Sequence, residues 1–309
     1  QYSGNGSANN AITLPGDTNM QPDFVWIKNQ DATDGHCWFD AVRGATKVID
    51  SQNDNAETTD ADTLDSFATD GFQVDADVKV NTSGEDYSAW CWKGNGSGSS
   101  NTDGTINTAG TSANTTAGFS INTYTGTGAN ATVGHGLGTI PHAILVKKTN
   151  ASGHWNLYHH TTGNGKTNYF NLTQAVSTDS ARWNDTTPTS SVFSLGSETN
   201  VNGDGDTHVA YCFANKQGFF KAGGYTGNGD STDGTFINTG FRPALVIIKR
   251  TDTANDWAMV DRLRLGHNAS SHGNYIFYAN TNSTSFASDW VDMYSNGFRL
   301  EDQDAHVNA

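Results

Sequence analysis

Apolar residues occur along this chain in short runs, separated by stretches rich in glycine, asparagine, threonine and serine. Three of the runs share one form, in which a proline precedes a strand-length apolar segment and a lysine follows it. They read QPDFVWIK from Gln21, IPHAILVKK from Ile140 and RPALVIIKR from Arg242. Such short runs bounded by turn residues predict β-strands, and no segment shows the sustained 3.6-residue periodicity of a helical layer. The pattern predicts an all-β protein.

These strand signals recur in the same order three times. A Tyr-x-Gly turn opens each copy, at Tyr2, Tyr124 and Tyr225. The prolines that follow are 119 and 102 residues apart, at Pro22, Pro141 and Pro243. This spacing exceeds the units of solenoids and predicts three tandem antiparallel β-sandwich domains, jelly-roll-like in form, of about 100 residues each.

A tryptophan follows each apolar run, at Trp38, Trp155 and Trp257. We expect these three side chains to occupy equivalent buried positions, because large rings on short strands can fill the thin core of a sandwich.

The repeat pattern also sets the domain boundaries. We expect sandwiches over residues 1–93, 118–214 and 218–309, with 94–117 as a linker or extended surface arm because that segment is almost free of apolar residues. The first copy starts inside its opening strand, and the third lacks a closing strand like that at 209–214. We expect a longer polypeptide or a neighbouring subunit to complete these sheets by edge pairing.

The charge and the length of the apolar runs each argue against one class of partner. The net charge is −15 with a pI near 4.8, and there are only 17 lysines and arginines. Nucleic-acid binding needs clustered basic residues, so we expect no nucleic-acid partner. No apolar run approaches the roughly 20 residues of a membrane span, so we expect no membrane insertion.

One acidic turn is a candidate calcium site. Asn202, Asp204 and Asp206 alternate with glycines before the closing strand of the second copy. Oxygen-rich turns of this kind can surround Ca²⁺, although the pattern lacks the terminal glutamate of an EF-hand. A solvated hairpin turn is the simpler interpretation. Ca²⁺ is the one cofactor that the sequence suggests.

Three aromatic residues fall outside the threefold pattern. Trp183, Trp290 and Tyr294 have no counterpart in the other copies, which makes them candidates for surface rings that stack on the apolar face of a sugar. No catalytic residue is predicted. The chain has no Gly-x-Ser-x-Gly elbow, and its 32 acidic residues single out no carboxylate pair.

The combination of motifs resembles a known type of domain. ITLPGDTNMQPDFVWIKN and YSAWCWKG in the first copy, TVGHGLG and HVAYCFA in the second, and NTGFRPALVIIKR and YSNGFRL in the third carry the likeness. They are similar to a tandem domain of uncharacterised function in structural and tail-associated proteins of marine tailed bacteriophages. The resemblance spans nearly the whole chain. It implies a virion location and an assembly role, and it supplies no catalytic residues.

We therefore expect a non-enzymatic virion structural or adhesive protein. It would be a phage tail, fibre or surface component that forms homo-oligomers, binds other virion subunits and contacts host-surface glycans. The alternative is an extracellular or cell-surface bacterial protein that forms filaments or acts as an adhesin. A glycan-cleaving enzyme is a third hypothesis, which product release from host polysaccharide would distinguish.

Overall fold

A computed structural model describes residues 1–264 and 274–309 and confirms that the chain is nearly all β. Its described strands form antiparallel sheets, and its two described helices have only one turn each. The sheets follow the three repeats seen in the sequence. Each repeat has a larger sheet, called its main sheet, and a smaller one, called its outer sheet.

The first repeat contains nine strands and one helix. Their bounds are β1 (Tyr2–Ser3), β2 (Asn10–Thr13), β3 (Phe24–Asn29), β4 (Cys37–Asp40), β5 (Gly44–Asp50), β6 (Thr58–Thr59), β7 (Leu64–Ala68), β8 (Gly71–Val74), α1 (Val78–Asn81) and β9 (Asp86–Trp92). The main sheet has the order β1-β9-β3-β4-β5-β6, and the outer sheet has the order β2-β8-β7.

The second repeat has the same plan. Its elements are β10 (Gly110–Asn114), β11 (Phe119–Thr125), β12 (Ala131–Gly134), β13 (Ala143–Lys148), β14 (Asn156–His159), β15 (Lys166–Tyr169), β16 (Ser177–Thr178), β17 (Val192–Leu195), α2 (Thr199–Asn202) and β18 (Thr207–Phe213). The main sheet is β10-β11-β18-β13-β14-β15-β16, and the outer sheet is β12-β17. Strand β10 lies inside 94–117 and pairs with β11 over five residues. Part of this segment is therefore a sheet strand, which corrects the expectation of a linker there. Main-chain pairing in β10 needs no apolar side chains, so composition did not reveal it.

The third repeat has fewer described strands. They are β19 (Phe236–Asn238), β20 (Leu245–Ile248), β21 (Ala258–Asp261), β22 (Asn274–Tyr278), β23 (Phe286–Ser288), β24 (Val291–Tyr294) and β25 (Gly297–Leu300). The main sheet is β20-β21-β22-β23, and the outer sheet is β19-β25-β24. Within the described part of the chain, β20 pairs on one side only, whereas β3 and β13 pair on both.

Alternation along the strands buries both faces of each main sheet. In β3, Val25 and Ile27 contribute to a core shared with the outer sheet, whereas Phe24 and Trp26 point to the opposite side. That opposite side is a second core, which we call the axial core. It contains residues of all three repeats, including Trp38, Trp155 and Trp257. The repeats therefore share one interior.

The three copies share one side-chain contact. The hydroxyls of Tyr2, Tyr124 and Tyr225 each donate a 2.7 Å hydrogen bond to the backbone oxygen of a valine 77 to 82 residues later. The acceptors are Val80, Val201 and Val307. Each Tyr-x-Gly turn is thus tied to the end of its own repeat.

Three hydrogen bonds link the repeats into a closed ring around the axial core. Trp155 Nε1 donates to the Asp50 oxygen of the first repeat at 2.9 Å, and Trp257 Nε1 donates to the Tyr169 oxygen of the second at 3.0 Å. His36 Nε2 completes the ring at 3.2 Å from the Tyr278 oxygen of the third. Because Trp26 Nε1 donates to His36 Nδ1, His36 Nε2 carries the proton and serves as the donor.

The ring corrects the equivalence expected for the tryptophans. All three are buried, but His36, not Trp38, is the counterpart of Trp155 and Trp257. Trp38 instead pairs with Ile49 in the position that Leu157 and Met259 hold in the other repeats. The error arose from matching residue type. In the first copy an imidazole N–H, not an indole N–H, donates to the adjacent repeat.

A lysine lies at the end of β3, at the end of β13 and just after β20, in each case beside a junction between repeats. Lys28 and Lys147 are buried, and Lys249 is half-buried. Lys28, Lys147 and Lys249 each donate to the backbone oxygen of the next residue, and Lys147 and Lys249 also donate to an oxygen of a neighbouring repeat. Burial lowers the pKa of all three amines to about 8, from 10.5.

These lysines predict a stability that rises at alkaline pH. Between pH 8 and 10.5 these three lysines bind more protons in the unfolded chain than in the folded one, so their contribution to the free energy of unfolding should increase with pH in that window. Burial raises the pKa of the three cysteine thiols and of Tyr124 and Tyr211. Ionisation of unfolded thiols above roughly pH 9, and of unfolded tyrosines above roughly pH 10, therefore opposes part of the gain. Urea unfolding at about pH 7.5 and 9.5 should give a higher midpoint at the higher pH. The variant Lys147→Met should reduce the difference, and a lower midpoint at pH 9.5 in the natural protein would contradict it.

Candidate functional site

The outer sheet of the third repeat presents an unusual surface. Along β24 and β25, Val291, Met293, Phe298 and Leu300 point inward and form part of a buried core. Alternation therefore turns the intervening residues outward. We call this outward surface the aromatic face, and it consists of Phe236, Asp292, Tyr294, Gly297 and Arg299.

Two exposed rings lie side by side on this face. Phe236 is 44% exposed and Tyr294 is 37% exposed, and their ring centroids are 6.0 Å apart at an angle of 69°. Gly297 lies beside them, paired with Tyr294 across the strands. A Cβ atom added at Gly297 would come within 2.9 Å of Phe236 Cζ. The glycine therefore lets the phenylalanine ring lie across the sheet.

Hydrogen-bonding groups flank the rings. Arg299 forms a two-point ion pair with Glu301, with Nε–Oε1 and Nη2–Oε2 distances of 2.5 and 2.9 Å. The hydrogen bond to Glu301 raises the pKa of Arg299, so its charge is secure. Burial, with repulsion from Glu301 and Asp289, raises the pKa of Asp292. Asp292, Arg299 and Glu301 thus form a polar rim around the rings. This rim offers hydrogen-bond donors and acceptors and is acidic overall.

The other two repeats lack such a surface. The positions of Phe236 and Arg299 are held by Ala11 and Gln73 in the first repeat. They are Thr132 and Ser194 in the second. Tyr294 corresponds to Ala68 in the first repeat, since both pair with a glycine that opens the central strand. The aromatic face is therefore specific to the third copy.

Of the three aromatics predicted to contact sugars, Tyr294 alone is exposed. Tyr294 lies on the aromatic face. Trp183 and Trp290 are wrong as surface residues, because they are only 2% and 3% exposed. Trp183 packs edge-on against Tyr158, and Trp290 stacks on His306 at 5.4 Å. Each fills the core beneath its own outer sheet, so absence from the repeat pattern did not mean exposure.

Sequence reasoning missed Phe236 and Arg299. Their signal was available in the repeats, because both replace small or uncharged residues at aligned strand positions. Phe236 lies in the short strand FIN, which resembles neither NAIT nor ATVG closely enough to align by eye.

The candidate calcium turn has a different role for one of its residues. The Asn202 side-chain oxygen accepts from the Thr127 amide at 2.9 Å, and its nitrogen donates to two backbone oxygens. Asp206 lies 2.7 Å from Lys148 Nζ, a contact that lowers the Asp206 pKa. Both polar atoms of the Asn202 side chain are thus engaged within the protein, and its role as a calcium ligand stays a prediction. Among residues 1–264 and 274–309, no group of three or more His, Cys, Asp or Glu side chains is placed to hold a metal. Calcium binding by Asp204 and Asp206 stays a prediction.

Comparison with known proteins places the chain in a family. The model of a family described as "Domain of unknown function (DUF7483)" matches residues 1–309. The chain belongs to the DUF7483 family. No curated protein and no solved structure matches it. Within the described residues of this DUF7483 chain, no helix is long and apolar enough to cross a membrane. The family assigns no residue a role, so the chemistry of the aromatic face rests on its geometry.

Proposed function

We propose that this protein is a non-enzymatic structural or adhesive protein that contacts glycans through the aromatic face. The exposed pair of Phe236 and Tyr294 is the observation that carries the proposal. The apolar surface of large exposed rings on a regular sheet is removed from water only when a ligand covers it. A pyranose fits, because its C–H face stacks on a ring while its hydroxyls reach polar groups at the edge.

The polar rim matches this ligand class. The Asp292 and Glu301 carboxylates can accept hydrogen bonds from sugar hydroxyls, and Arg299 remains charged beside them. The acidic balance of the rim favours a neutral glycan over a sulfated or carboxylated one, because like charges repel across a partly desolvated contact.

A rigid block suits an adhesive or structural role. The closed ring of His36, Trp155 and Trp257 fixes the three repeats relative to one another, so the aromatic face is presented from a preorganised scaffold. We propose a virion location, as a phage tail, fibre or surface component that binds copies of itself and other virion subunits. The resemblance of the motifs supports this location. A bacterial filament protein or adhesin is the alternative.

Variants of the aromatic face test the proposal. Phe236→Ala and Tyr294→Ala should each weaken binding to host-surface polysaccharide by about tenfold, the loss expected for one stacking contact. Phe219→Ala is the matched control, since Phe219 is 60% exposed but lies outside the face. Titration calorimetry with the three folded variants and the natural protein would measure the effect. Equal affinity in all four would contradict the proposal.

A further inference from the structure

A cavity of about 420 Å³ opens where the third repeat meets the first. Gln30, Asp31 and Asp86 of the first repeat line one side. Arg264 and Ser285 of the third line the other. It is separate from the aromatic face, which shares none of these residues.

Arg264 is a buried cation with unused donors. Its side chain is 1% exposed, and its Nε lies 2.7 Å from Asp261 Oδ2. The guanidinium carbon is 4.2 Å from the centroid of the Phe277 ring. Nη1 and Nη2 have no hydrogen-bond partner among the residues that the structure describes. Buried donors left unpaired are costly, and more so on a charged group.

The first repeat shows how the same arrangement is completed. Arg43 follows Asp40 by three residues, as Arg264 follows Asp261, and both arginines bind that aspartate through Nε. At Arg43, however, Nη1 lies 3.0 Å from Glu57 Oε2, and Nη2 lies 3.3 Å from the Tyr211 hydroxyl. Glu57 thus supplies a second carboxylate, whereas Asp261 is the one carboxylate paired with Arg264 among the described residues.

Two replacements remove side-chain acceptors that Arg43 has, in addition to its hydrogen bonds to the backbone oxygens of Lys47 and Trp38. Ser285 holds the position of Glu57, because the backbone N–H of each bonds to an oxygen of the adjacent repeat, Gln30 for Ser285 and Thr149 for Glu57. Trp90 holds the position of Tyr211, because Trp90 pairs with the third residue of β3 and Tyr211 pairs with the third residue of β13. An indole cannot accept a hydrogen bond from a guanidinium. The smaller serine leaves room, and both Ser285 and Arg264 line the cavity.

We propose that this cavity binds a small sugar acid, whose carboxylate pairs with Arg264 as Glu57 pairs with Arg43. Arginine binds carboxylates at two points, and the pairing would satisfy donors that are otherwise buried and vacant. The rest of the ligand must donate hydrogen bonds, because Asp31 and Asp86 face the same space as acceptors. Hydroxyl groups do so without adding charge, and Tyr2 and Tyr275 also line the space.

The two aspartates are held in place for this role. Ser3 Oγ donates to Asp86 Oδ1 at 2.5 Å, and the Asp86 amide donates to Asp31 Oδ2 at 2.7 Å. One oxygen of each carboxylate remains for a ligand hydroxyl. The proposal does not depend on the aromatic face, and the two sites have separate variants.

The test uses D-glucuronate as the probe and D-glucose as its neutral counterpart. Calorimetry or chemical-shift titration should show binding of glucuronate and none of glucose. Ser285→Glu restores in the chain the carboxylate that Glu57 provides in the first repeat, so it should weaken glucuronate binding by at least about tenfold. It should also melt at a higher temperature than Ser285→Gln, which has the same size and no charge.

The outcomes separate clearly. Retained glucuronate binding in Ser285→Gln and Tyr294→Ala, with loss in Ser285→Glu, supports the site at Arg264. Absence of glucuronate binding to the natural protein would overturn it. So would equal affinity in Ser285→Glu and Ser285→Gln. Loss of polysaccharide binding in Tyr294→Ala with unchanged glucuronate binding would leave both sites standing and independent.

Discussion

Replacing Trp155 with alanine should destabilise the protein by about 3–5 kcal/mol, the usual cost of deleting a large buried aromatic side chain. Trp155 is fully buried, lies 4.7 Å from the Trp38 ring, and donates its indole proton to the first repeat. The substitution removes core volume and one link of the closed ring. Because the axial core is shared, the whole chain should lose stability together.

Chemical unfolding followed by tryptophan fluorescence and by far-ultraviolet circular dichroism measures this effect. The two probes should report one coincident transition that moves to lower denaturant in Trp155→Ala. Val78→Ala is the control, because Val78 is 58% exposed and its loss should leave the midpoint nearly unchanged. Separate transitions, of which only one shifts, would show that the repeats unfold independently and would contradict the shared core.

Arg43→Ala should be similarly severe, at about 3–5 kcal/mol. Arg43 lies between the first and second repeats and pairs with Asp40 and Glu57, and the Asp40 side chain is fully buried. Removing the cation leaves the Asp40 carboxylate in the interior without its counter-charge. The Tyr211 hydroxyl still donates to Asp40 at 2.7 Å, which replaces only part of the interaction.

The pair Lys79 and Asp60 provides the control for this substitution. Its atoms are 3.4 Å apart, and both side chains are about a third exposed. Lys79→Ala should therefore cost no more than about 1 kcal/mol. Adding Asp40→Asn to Arg43→Ala should recover part of the loss, since the uncompensated charge is then removed. An Arg43→Ala midpoint equal to that of Lys79→Ala would contradict a structural role for the buried network.

The threefold repeat was predictable because its signals are local. Tyrosine, proline and lysine recur at matched places, since each repeat needs the same turn, the same strand entry and the same buried amine. The closed ring was harder to predict. Pro22 and Pro141 are 119 residues apart, as are His36 and Trp155, whereas Trp38 and Trp155 are 117 apart. The spacing alone would have selected His36 as the counterpart of Trp155. It was overlooked because a histidine does not resemble a tryptophan in sequence.

The functional surface was predictable only in part. Tyr294 was selected because it falls outside the threefold pattern, and it lies exposed at the end of β24. Trp183 and Trp290 were misplaced because a large ring outside the repeat can fill a core specific to its own repeat. Nη1 and Nη2 of Arg264 lack partners among the described residues because of which side chains approach from another repeat. No local sequence pattern encodes that contact.

Polysaccharide binding and cleavage measured on one sample test the proposed function most directly. The natural protein and Tyr294→Ala would be titrated with host-surface polysaccharide, and the same mixtures would be assayed for newly formed reducing ends. We predict saturable binding by the natural protein, clear loss of binding in Tyr294→Ala, and no reducing ends in either. Release of reducing ends by the natural protein, or binding that is unchanged in Tyr294→Ala, would contradict a non-enzymatic glycan contact at the aromatic face.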